Sequence, residues 1–235
     1  MRMLELFSGS GVMSEAFRAE GFDTITIDSE PEFKPDYALD IFNFEAIPLS
    51  FDVIWASPPC TTFSVASIRH YWKDGKPANE RTERGIAIVK RTLEIIQAIR
   101  PRFWFIENPR GMLRKQDFMQ SLPRKTVTYC QYGHQAMKPT DIWTNADIPF
   151  KPMCKNGDPC HVRASRGAKA GVQGIYNADY FDKHRSAYYR AVLPDALCKF
   201  VAHWCKDQLA PSGTRFSRSE NMPHSPEGRI AEQEK

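Results

Sequence analysis

The chain has 235 residues, of which 42% are apolar and 26% are charged, and its net charge is +4. This length and composition suffice for one sizeable α/β core and a small appendage. The sequence shows no apolar signal segment and no long apolar span, and its six cysteines follow no regular framework. These features argue against a membrane-spanning or disulfide-rich class and predict a soluble, cytoplasmic protein with reduced thiols.

The N-terminal segment MRMLELFSGSGVMSEAFRAEGF has the pattern of a strand, a glycine turn and a helix. Gly9 and Gly11 would let the backbone approach a ligand closely, with the helix N-terminus just behind. A second strand, DTITI, ends at Asp28, about 17 residues past Gly11. In nucleotide-binding βαβ units an acid meets a ribose hydroxyl at an offset of roughly 20 residues. The pattern favours a nucleotide-like cofactor, and a plain turn with a solvated carboxylate is the alternative.

The segment DVIWASPPCTTFS places a cysteine directly after a third strand. Residues 51–56 are apolar, and Pro58 and Pro59 cannot extend a strand, so we expect Cys60 at its carboxyl end, facing solvent. Open α/β sheets carry their chemistry at that end. A cysteine there can be a nucleophile when its pKa is lowered or its substrate is held close. The alternative is a small buried hydrophobic residue.

The stretch that follows Cys60 is polar and basic. Residues 61–115 carry about 12 Lys or Arg against about 5 Asp or Glu. We predict a mobile loop that closes over nucleic acid, with cations on phosphates and an aromatic or polar tip in the space that a displaced base leaves. An ordinary solvated loop is the alternative. The cations and rings of this stretch are Arg69, His70, Tyr71, Trp72, Lys73, Lys76, Arg81 and Arg84.

Residues 85–99 have apolar side chains at helical spacing and predict a helix that packs on the sheet. The strand RFWFIENPRG follows and ends in Glu107 and Asn108. A carboxyl group at the mouth of an apolar strand is partly desolvated, which raises its pKa and lets it donate to a ring nitrogen at neutral pH. The alternative is a carboxylate paired with Arg110 or Arg114.

The last third of the chain begins with an expected antiparallel ribbon from Thr126 to Thr144. A glycine-rich, basic segment follows, in which Arg163, Arg166 and Lys169 either track a phosphate backbone or are simply solvated. A helix is predicted from about Pro194 to Leu209, with proline in its first turn. Residues 211–235 have the composition of a disordered tail.

A zinc site is a second interpretation of the glycine-rich segment. Cys154, Cys160 and His161 are candidate ligands, and Cys130 or His134 could complete four. Their spacing does not match usual zinc fingers, so a substrate-facing loop is the favoured prediction.

The glycine turn, the strand-end acid, PPC and EN each follow a predicted strand, and in this order they resemble the cytosine C5-methyltransferases. QYGHQAMKPTDIWTN resembles the family's eighth motif and AYYRAVLPDAL, weakly, its tenth, so the resemblance covers roughly residues 1–145 and 185–209. The PPC and EN pair is the specific part. The resemblance implies a Rossmann-like class I methyltransferase fold of the α/β class, with a mostly parallel sheet and helices on both faces.

The resemblance also implies a reaction and its residues. The Cys60 thiolate would add to C6 of cytosine, Glu107 would grip the base at N3, Asn108 would order the site, and Arg110 would orient Glu107 or meet phosphate. S-adenosylmethionine is the implied methyl donor and DNA the implied substrate. The implied cofactor-binding residues are Phe7, Ser8, Gly9, Gly11, Asp28, Ser29, Asp40, Ile41 and Pro58. The implied nucleic-acid-binding residues are Ser64, Arg69, Lys76, Arg84, Arg163 and Arg166.

The chain departs from the family pattern at several positions. Thr61 stands where glutamine is common, Pro109 where valine is usual and His134 where arginine is usual, and Ser29 replaces a bulky residue that often stacks on adenine. We divide the chain into a catalytic domain at 1–145, a small recognition region at 146–185, a returning helix at 186–210 and a tail at 211–235. So short a recognition region suggests a short target sequence, a specificity-conferring protein partner, or a solitary phage-type or restriction–modification enzyme.

Three alternatives are consistent with the same residues. The substrate could be cytosine in RNA or in a free nucleotide, for which a large recognition domain is unnecessary. The chain could be a catalytically silent nucleic-acid-binding module that keeps the fold. The transferred group could also be something other than methyl.

Overall fold

Seven strands build one mixed sheet in the computed structural model, which describes residues 1–155, 157–161 and 192–210. The spatial order is β3-β2-β1-β4-β7-β9-β8, and a separate hairpin consists of β5 and β6. The strands are β1 Arg2–Leu6, β2 Asp23–Asp28, β3 Tyr37–Ala38, β4 Val53–Ala56, β5 Trp72–Lys73, β6 Lys76–Pro77, β7 Phe103–Pro109, β8 Arg124–Thr128 and β9 Pro139–Thr144. The helices are α1 Val12–Ala19, α2 Ile68–Tyr71, α3 Glu80–Ile99, α4 Asp117–Gln120 and α5 Asp195–Leu209.

Side chains of the central strands alternate between two apolar cores, one on each face of the sheet. In β4, Val53 and Trp55 pack with α1 and α5, whereas Ile54 and Ala56 pack with α3. Both faces are covered, as the central parallel strand β4 requires, because it is apolar and buried along its whole length. The expected α/β fold, with a mainly parallel sheet and helices on both faces, is therefore confirmed.

The carboxyl ends of the three central strands meet at one edge of the sheet. Leu6 lies beside Ala56, and Ala56 lies beside Ile106. The residues that follow them, Phe7, Ser57 and Glu107, therefore stand in a row. The glycine turn, the PPC segment and the EN pair are brought together by strand register alone.

The end of β7 differs from the sequence expectation because a neighbouring strand prolongs it. Glu107 and Asn108 lie inside the strand, since β9 pairs antiparallel with β7 as far as Pro109 opposite Thr140. The ribbon expected between Thr126 and Thr144 is present as β8 and β9 at the sheet edge.

The basic stretch after Cys60 folds into α2 and the β5–β6 hairpin. Trp72 is buried against Phe63, with 6.1 Å between ring centroids, and its indole N–H donates to the Thr62 carbonyl at 2.6 Å. Burial satisfies both the apolar ring and its donor, so Trp72 does not provide the tip, which the sequence predicted to be either aromatic or polar. Asp74 and Gly75 form a polar tip instead.

Both long predicted helices are present. Helix α3 starts at Glu80, five residues before the predicted start, because the Asn79 side chain accepts from the Thr82 amide at 3.0 Å and caps the helix. Helix α5 begins directly after Pro194 and packs on α1. Most of the predicted recognition region and the predicted tail lie outside the described residues. No helix within the described ranges is long and apolar enough to cross a membrane.

Candidate active site

One cavity of about 320 Å³ opens at the carboxyl edge of the sheet. Its walls contain the glycine turn, the PPC segment and the end of β7, so Cys60 and Glu107 line the same space. The residues that line it are Glu5, Phe7, Ser8, Gly9, Ser10, Val12, Met13, Phe33, Ser57, Pro58, Pro59, Cys60, Thr61, Glu107, Pro109, Lys138, Val192 and Leu193.

The PPC segment holds Cys60 at the start of a tight turn. The amides of Phe63 and Ser64 donate to the Cys60 carbonyl at 3.0 and 2.9 Å. Cys60 is half-buried and its thiol is not in a disulfide. The backbone therefore places this thiol at the cavity wall instead of in the core.

Three links fasten the PPC segment to the end of β7. The side-chain amide of Asn108 donates to the Pro58 carbonyl at 2.9 Å. The Met112 amide donates to the Phe63 carbonyl at 2.8 Å, and Gly111 forms a β-bridge with Ser64. A Cβ atom on Gly111 would lie 2.1 Å from the Phe63 carbonyl oxygen, so this close approach requires glycine.

The other cysteines are poorly placed for nucleophilic chemistry. Burial raises the pKa of Cys130 to about 12, and it raises the pKa values of Cys198 and Cys205 well above their usual range. A neutral thiol is a weak nucleophile. Of the six cysteines in the chain, Cys60 alone lines the cavity.

Glu107 is a buried carboxyl group at the floor of the cavity, with 6% of its surface exposed. Burial raises its pKa, and the nearby Lys138 ammonium and the Tyr129 hydroxyl oppose that rise only in part. The Tyr129 hydroxyl donates to Oε1 of Glu107 at 2.9 Å. The arrangement favours a protonated Glu107 that can donate a hydrogen bond.

Neither expected arginine pairs with Glu107 among the contacts that the structure describes. Arg114 pairs with the buried carboxylate of Asp141, and Arg110 is exposed, its amide donating to the Pro139 carbonyl. The alternative of a Glu107 neutralised by Arg114 is therefore wrong, because Asp141 takes that guanidinium.

Lys138 and Tyr129 are site residues that the sequence reasoning missed. Lys138 is 6% exposed, lines the cavity, and places its ammonium 4.4 Å from the centroid of the Tyr129 ring. Its backbone has a φ of 33°, an uncommon conformation for a residue with a side chain. Both residues flank the loop from β8 to β9, and only the pairing of β9 with β7 brings them to Glu107.

The glycine turn has the backbone conformation that its sequence predicts. Gly9 and Gly11 have φ values of 47° and 70°, and no atom lies within 4 Å of a Cβ built on Gly9. The Gly9 amide donates to Asp28 at 2.8 Å, and the Glu30 amide donates to the other oxygen of Asp28 at 3.0 Å. Asp28 thus braces the turn, and space remains open beside Gly9.

Glu5 is an acid near the glycine turn whose pKa is strongly raised, and the sequence reasoning did not single it out. It lies in β1 with 3% of its surface exposed and lines the cavity. Burial raises its pKa to about 7, although the Ser14 amide donates to its carboxylate at 2.9 Å. An acid in the centre of the apolar strand MLEL was the available signal, because a buried carboxylate needs a partner.

Five of the implied cofactor residues do not line the cavity: Gly11, Asp28, Ser29, Asp40 and Ile41. Ser29 is exposed, and Ile41 is buried in the core next to α3. Asp40 accepts from the Phe42 amide at 3.1 Å and forms an ion pair with Arg84. Asp40 and Arg84, which the sequence assigned to different ligands, therefore contact each other. Phe33 lines the cavity, and nothing in the sequence singled it out.

The implied nucleic-acid contacts do not line the cavity, and two of them lie outside the described residues. Arg69 and Lys76 are exposed on α2 and β6, and the half-buried Ser64 lies in the PPC turn. Arg163 and Arg166 lie outside the described residues. The residues considered as a zinc set, Cys154, Cys160 and His161, lie together with Cys130 and apart from the cavity, and His134 is not among them.

Residues 1–123 match the family described as C-5 cytosine-specific DNA methylase. The chain is 31% identical over 170 residues to the "Probable DNA (cytosine-5)-methyltransferase" of Frog virus 3, and the match covers 68% of this chain and 78% of that protein. It is 25% identical over 132 residues to the "Type II methyltransferase M.AquIA" of a Picosynechococcus species, covering 48% and 50% of the two chains.

Solved structures with a similar fold include the S. pombe Dnmt2 methyltransferase. The TM-score is 0.42 and the identity 17%, and the match covers 65% of this chain and 52% of that one. The chain thus spans about half the length of this protein and of the cyanobacterial relative.

Proposed function

The chain belongs to the C-5 cytosine-specific DNA methylase family and is a DNA cytosine-5-methyltransferase, and we propose that it forms a covalent bond between Cys60 and C6 of the target cytosine while a methyl group is transferred to C5. One observation carries this proposal: Cys60 and Glu107 line a single cavity that also contains the glycine turn. Nucleophile, base-gripping acid and donor site thus share one space.

The residues around the glycine turn fit S-adenosylmethionine. The open space beside Gly9 admits a ligand close to the backbone, and the buried Glu5 carboxylate lines the same wall. A ligand that carries ammonium and sulfonium charge would compensate the desolvated carboxylate. When bound, S-adenosylmethionine supplies an electrophilic methyl group. We assign Glu5 to its charged end and the ring of Phe33 to an apolar contact with the cofactor.

Cys60 activates the base. C5 of cytosine is a poor nucleophile. Addition of the Cys60 thiolate to C6 shifts the π electrons of the C5–C6 double bond towards C4 and N3, which makes the ring an electron-rich enamine. C5 then carries enough electron density to accept the methyl group. Solvent water accepts the proton from C5, the electron pair of the C5–H bond re-forms the C5–C6 double bond, and the Cys60 thiolate is expelled, so the enzyme is regenerated.

Glu107 stabilises the ring while sulfur is attached. Addition at C6 builds negative charge at N3, and a protonated Glu107 donates its proton there. The proton returns to Glu107 when Cys60 leaves. The Lys138 ammonium lies close enough to perturb the Glu107 pKa and faces the same cavity, so its charge also favours electron density on the ring. Because the Glu107 proton and the Lys138 charge both matter most in the transition state, these two residues act on kcat.

A cytosine inside a duplex must leave the stack to present C6 to Cys60. The exposed cations Arg69 and Lys76 lie on the α2 and hairpin segment that follows the PPC turn. We assign them to backbone phosphates beside the displaced base, where neutralising charge adds affinity without reading sequence.

The test is a covalent trap with duplex DNA that contains 5-fluorocytosine. Fluorine replaces the C5 hydrogen that must be removed before Cys60 can be eliminated, so the adduct persists. Peptide mapping should then find the base on Cys60. Cys60→Ser should lower methyl transfer at least about 10³-fold while the dissociation constant for S-adenosylmethionine is unchanged. Cys205→Ala, a change at a core cysteine that does not line the cavity, should retain transfer.

Parallel assays with duplex DNA, tRNA and dCMP decide the substrate. Transfer only to tRNA or dCMP would contradict the DNA assignment. A Cys60→Ser enzyme as active as wild type would contradict the covalent step, and a wild-type chain that binds DNA but transfers nothing would identify a silent binding module.

A further inference from the structure

A second cluster of reactive side chains lies outside the active-site cavity. The ligand atoms of Cys130, Cys154, Cys160 and His161 all lie within 4.8 Å of one another. Cys130, Cys154 and His161 are buried and Cys160 is half-buried. Four side chains of metal-binding type, drawn from two separate stretches of chain, therefore converge on one point.

Three of the four distances given below lie close to those of a tetrahedral metal site, and the fourth, between the sulfurs of Cys130 and Cys154, is shorter. A zinc ion with Zn–S of about 2.3 Å and Zn–N of about 2.05 Å places sulfurs about 3.8 Å apart and sulfur and nitrogen about 3.6 Å apart. Sγ of Cys130 lies 3.2 Å from Sγ of Cys154 and 3.6 Å from Sγ of Cys160. Nδ1 of His161 lies 3.7 Å from Sγ of Cys154 and 3.5 Å from Sγ of Cys160.

We propose that Cys130, Cys154, Cys160 and His161 bind one zinc ion in a closed structural site. Three thiolates and an imidazole are a ligand set that selects zinc, and four protein ligands leave no position for a substrate. The side chain of Gln131 donates to Sγ of Cys160 at 3.4 Å, a contact that would stabilise the thiolate form.

The tautomer of His161 follows from this assignment. A neutral imidazole carries one N–H proton, so when the lone pair of Nδ1 binds the metal the proton lies on Nε2. The Gly157 N–H is directed at Nε2 from 3.4 Å and would then face a second N–H group. The contact is long, and a small rotation of the peptide would separate the two donors. Zinc binding thus requires only a local adjustment.

The site would add to the hydrogen bonds that already join two parts of the chain, such as the one from the Cys154 amide to Oγ1 of Thr128 at 3.2 Å. Cys130 lies in the turn directly after β8, whereas Cys154, Cys160 and His161 lie where the chain enters the predicted recognition region. Described residues 149–161 form no helix or strand. Because no hydrogen-bonded helix or strand holds these residues in place, a bound metal would hold them.

A disulfide accounts for the cluster less well. The 3.2 Å between Cys130 and Cys154 sulfurs is far longer than a disulfide bond of about 2.05 Å. A bond between them would also leave Cys160 and His161 unexplained, although both point at the same centre. A metal uses all four side chains.

The metal cluster is also connected to the part of the active-site cavity that contains Glu107. Cys130 follows Tyr129, whose hydroxyl donates to Glu107 at 2.9 Å. A metal that fixes Cys130 would fix this hydroxyl and, through it, the Glu107 carboxyl group. This consequence rests on the proposed function, whereas metal binding itself does not.

Metal analysis of the full chain purified under reducing conditions tests the site directly. We expect about one zinc ion per chain and, after exchange with Co²⁺, the intense visible bands of tetrahedral cobalt with thiolate charge transfer. Cys154→Ser and His161→Ala should each lose the metal, and Cys205→Ala should retain it. Because ligand variants can misfold, zinc release on thiol modification of wild type provides a second measurement.

The proposal would be overturned if wild type held no zinc even after incubation with zinc and gave no tetrahedral cobalt spectrum. A Cys130–Cys154 disulfide in the reduced preparation would also overturn it. Chelation should lower methyl transfer by at most about three- to sixfold, reversibly, which is the loss expected when one hydrogen bond of about 1 kcal/mol is displaced. Zinc binding without any effect of chelation on transfer would overturn the link to Glu107 and leave the metal site standing.

Discussion

The two walls of the active-site cavity are built in opposite ways. Apart from Phe33, the cofactor wall comes from one short stretch, in which Glu5, Gly9 and Met13 belong to a single strand, turn and helix. The base wall combines Cys60 after β4, Glu107 in β7 and Lys138 before β9, which lie far apart in sequence. One wall is local, and the other exists only when the sheet is assembled.

This difference teaches where each wall is vulnerable. The cofactor wall stabilises itself through contacts within or next to its own βαβ unit, such as the Gly9 amide on Asp28 and the Ser14 amide on Glu5. The base wall depends on links between strands, such as Asn108 to Pro58. Changes in the base wall should therefore act on kcat, and changes in the cofactor wall on cofactor affinity.

The largest effect should come from Glu107→Gln in the base wall. The amide can still accept from Tyr129 but cannot transfer a proton to N3, so we expect kcat to fall about 10²- to 10³-fold. Cofactor affinity should stay within about twofold, because Glu107 acts mainly in the transition state. Single-turnover methyl transfer and cofactor titration measure the two quantities. An equal loss in both would contradict the separation of the walls.

A large effect is also expected from Gly111→Ala, which touches no substrate. Its Cβ would meet the Phe63 carbonyl oxygen at 2.1 Å and push the PPC turn away from β7. We expect kcat to fall about 10- to 100-fold from a displacement of the order of 1 Å, and the free energy of unfolding to fall by about 1–3 kcal/mol.

Gly85→Ala is the matched control for Gly111→Ala. Its Cβ would meet Oγ1 of Thr62 at 2.5 Å, a side chain of the same PPC turn. A side-chain atom can move without displacing the turn, so the loss of kcat should be smaller than for Gly111→Ala. If the two variants are equally impaired, the effect is general misfolding and not the position of Cys60.

The contrast between the walls also explains how much the sequence could predict. Strand-end position is a local property, so the expected Gly9 turn, the sheet and the ribbon from Thr126 to Thr144 agree with the structure. Lys138 and Tyr129 were missed because only the pairing of β9 with β7 brings them to Glu107. No spacing along the chain encodes that neighbourhood.

Other differences have equally specific physical causes. Trp72 looked like an exposed ring in a polar loop, but Phe63 and the Thr62 carbonyl satisfy its face and its donor. Asp40 looked free to bind a ligand, but α3 presents Arg84 to it. In each case a partner that is distant in sequence occupies a side chain that its local sequence had suggested was available for binding.

A smaller effect is expected from Glu5→Gln in the cofactor wall. Removal of the carboxylate should weaken S-adenosylmethionine binding about tenfold at pH 8, which corresponds to about 1.4 kcal/mol. In wild type, affinity should rise with pH as Glu5 ionises, and its pKa of about 7 places the change near neutral pH. Glu5→Gln should flatten this dependence. Glu15→Gln, an exposed acid on α1, is the control and should preserve it.

The same substitution should stabilise the protein without cofactor. Because the folded-state pKa of Glu5 is raised from 4.5 to about 7, the folded state holds an extra proton between these values, and stability falls as pH rises through that window. The cost is fully present above pH 7 and is about 3 kcal/mol. Urea unfolding at pH 5 and pH 8 should show Glu5→Gln gaining stability mainly at pH 8. A gain of equal size at both pH values would exclude Glu5 titration as its cause.

The smallest effect should come from Tyr129→Phe, which removes one hydroxyl from the base wall. A single hydrogen bond contributes about 1 kcal/mol, so we expect kcat to fall about three- to sixfold. The hydroxyl lowers the pKa of Glu107; without it that pKa rises, and Glu107 stays protonated to higher pH. The limb of the pH–rate profile that belongs to Glu107 should therefore move to higher pH. Tyr132→Phe, whose hydroxyl accepts from the Lys151 amide at 2.9 Å, should leave that limb in place, and a shift of the same size in both variants would disconnect Tyr129 from Glu107.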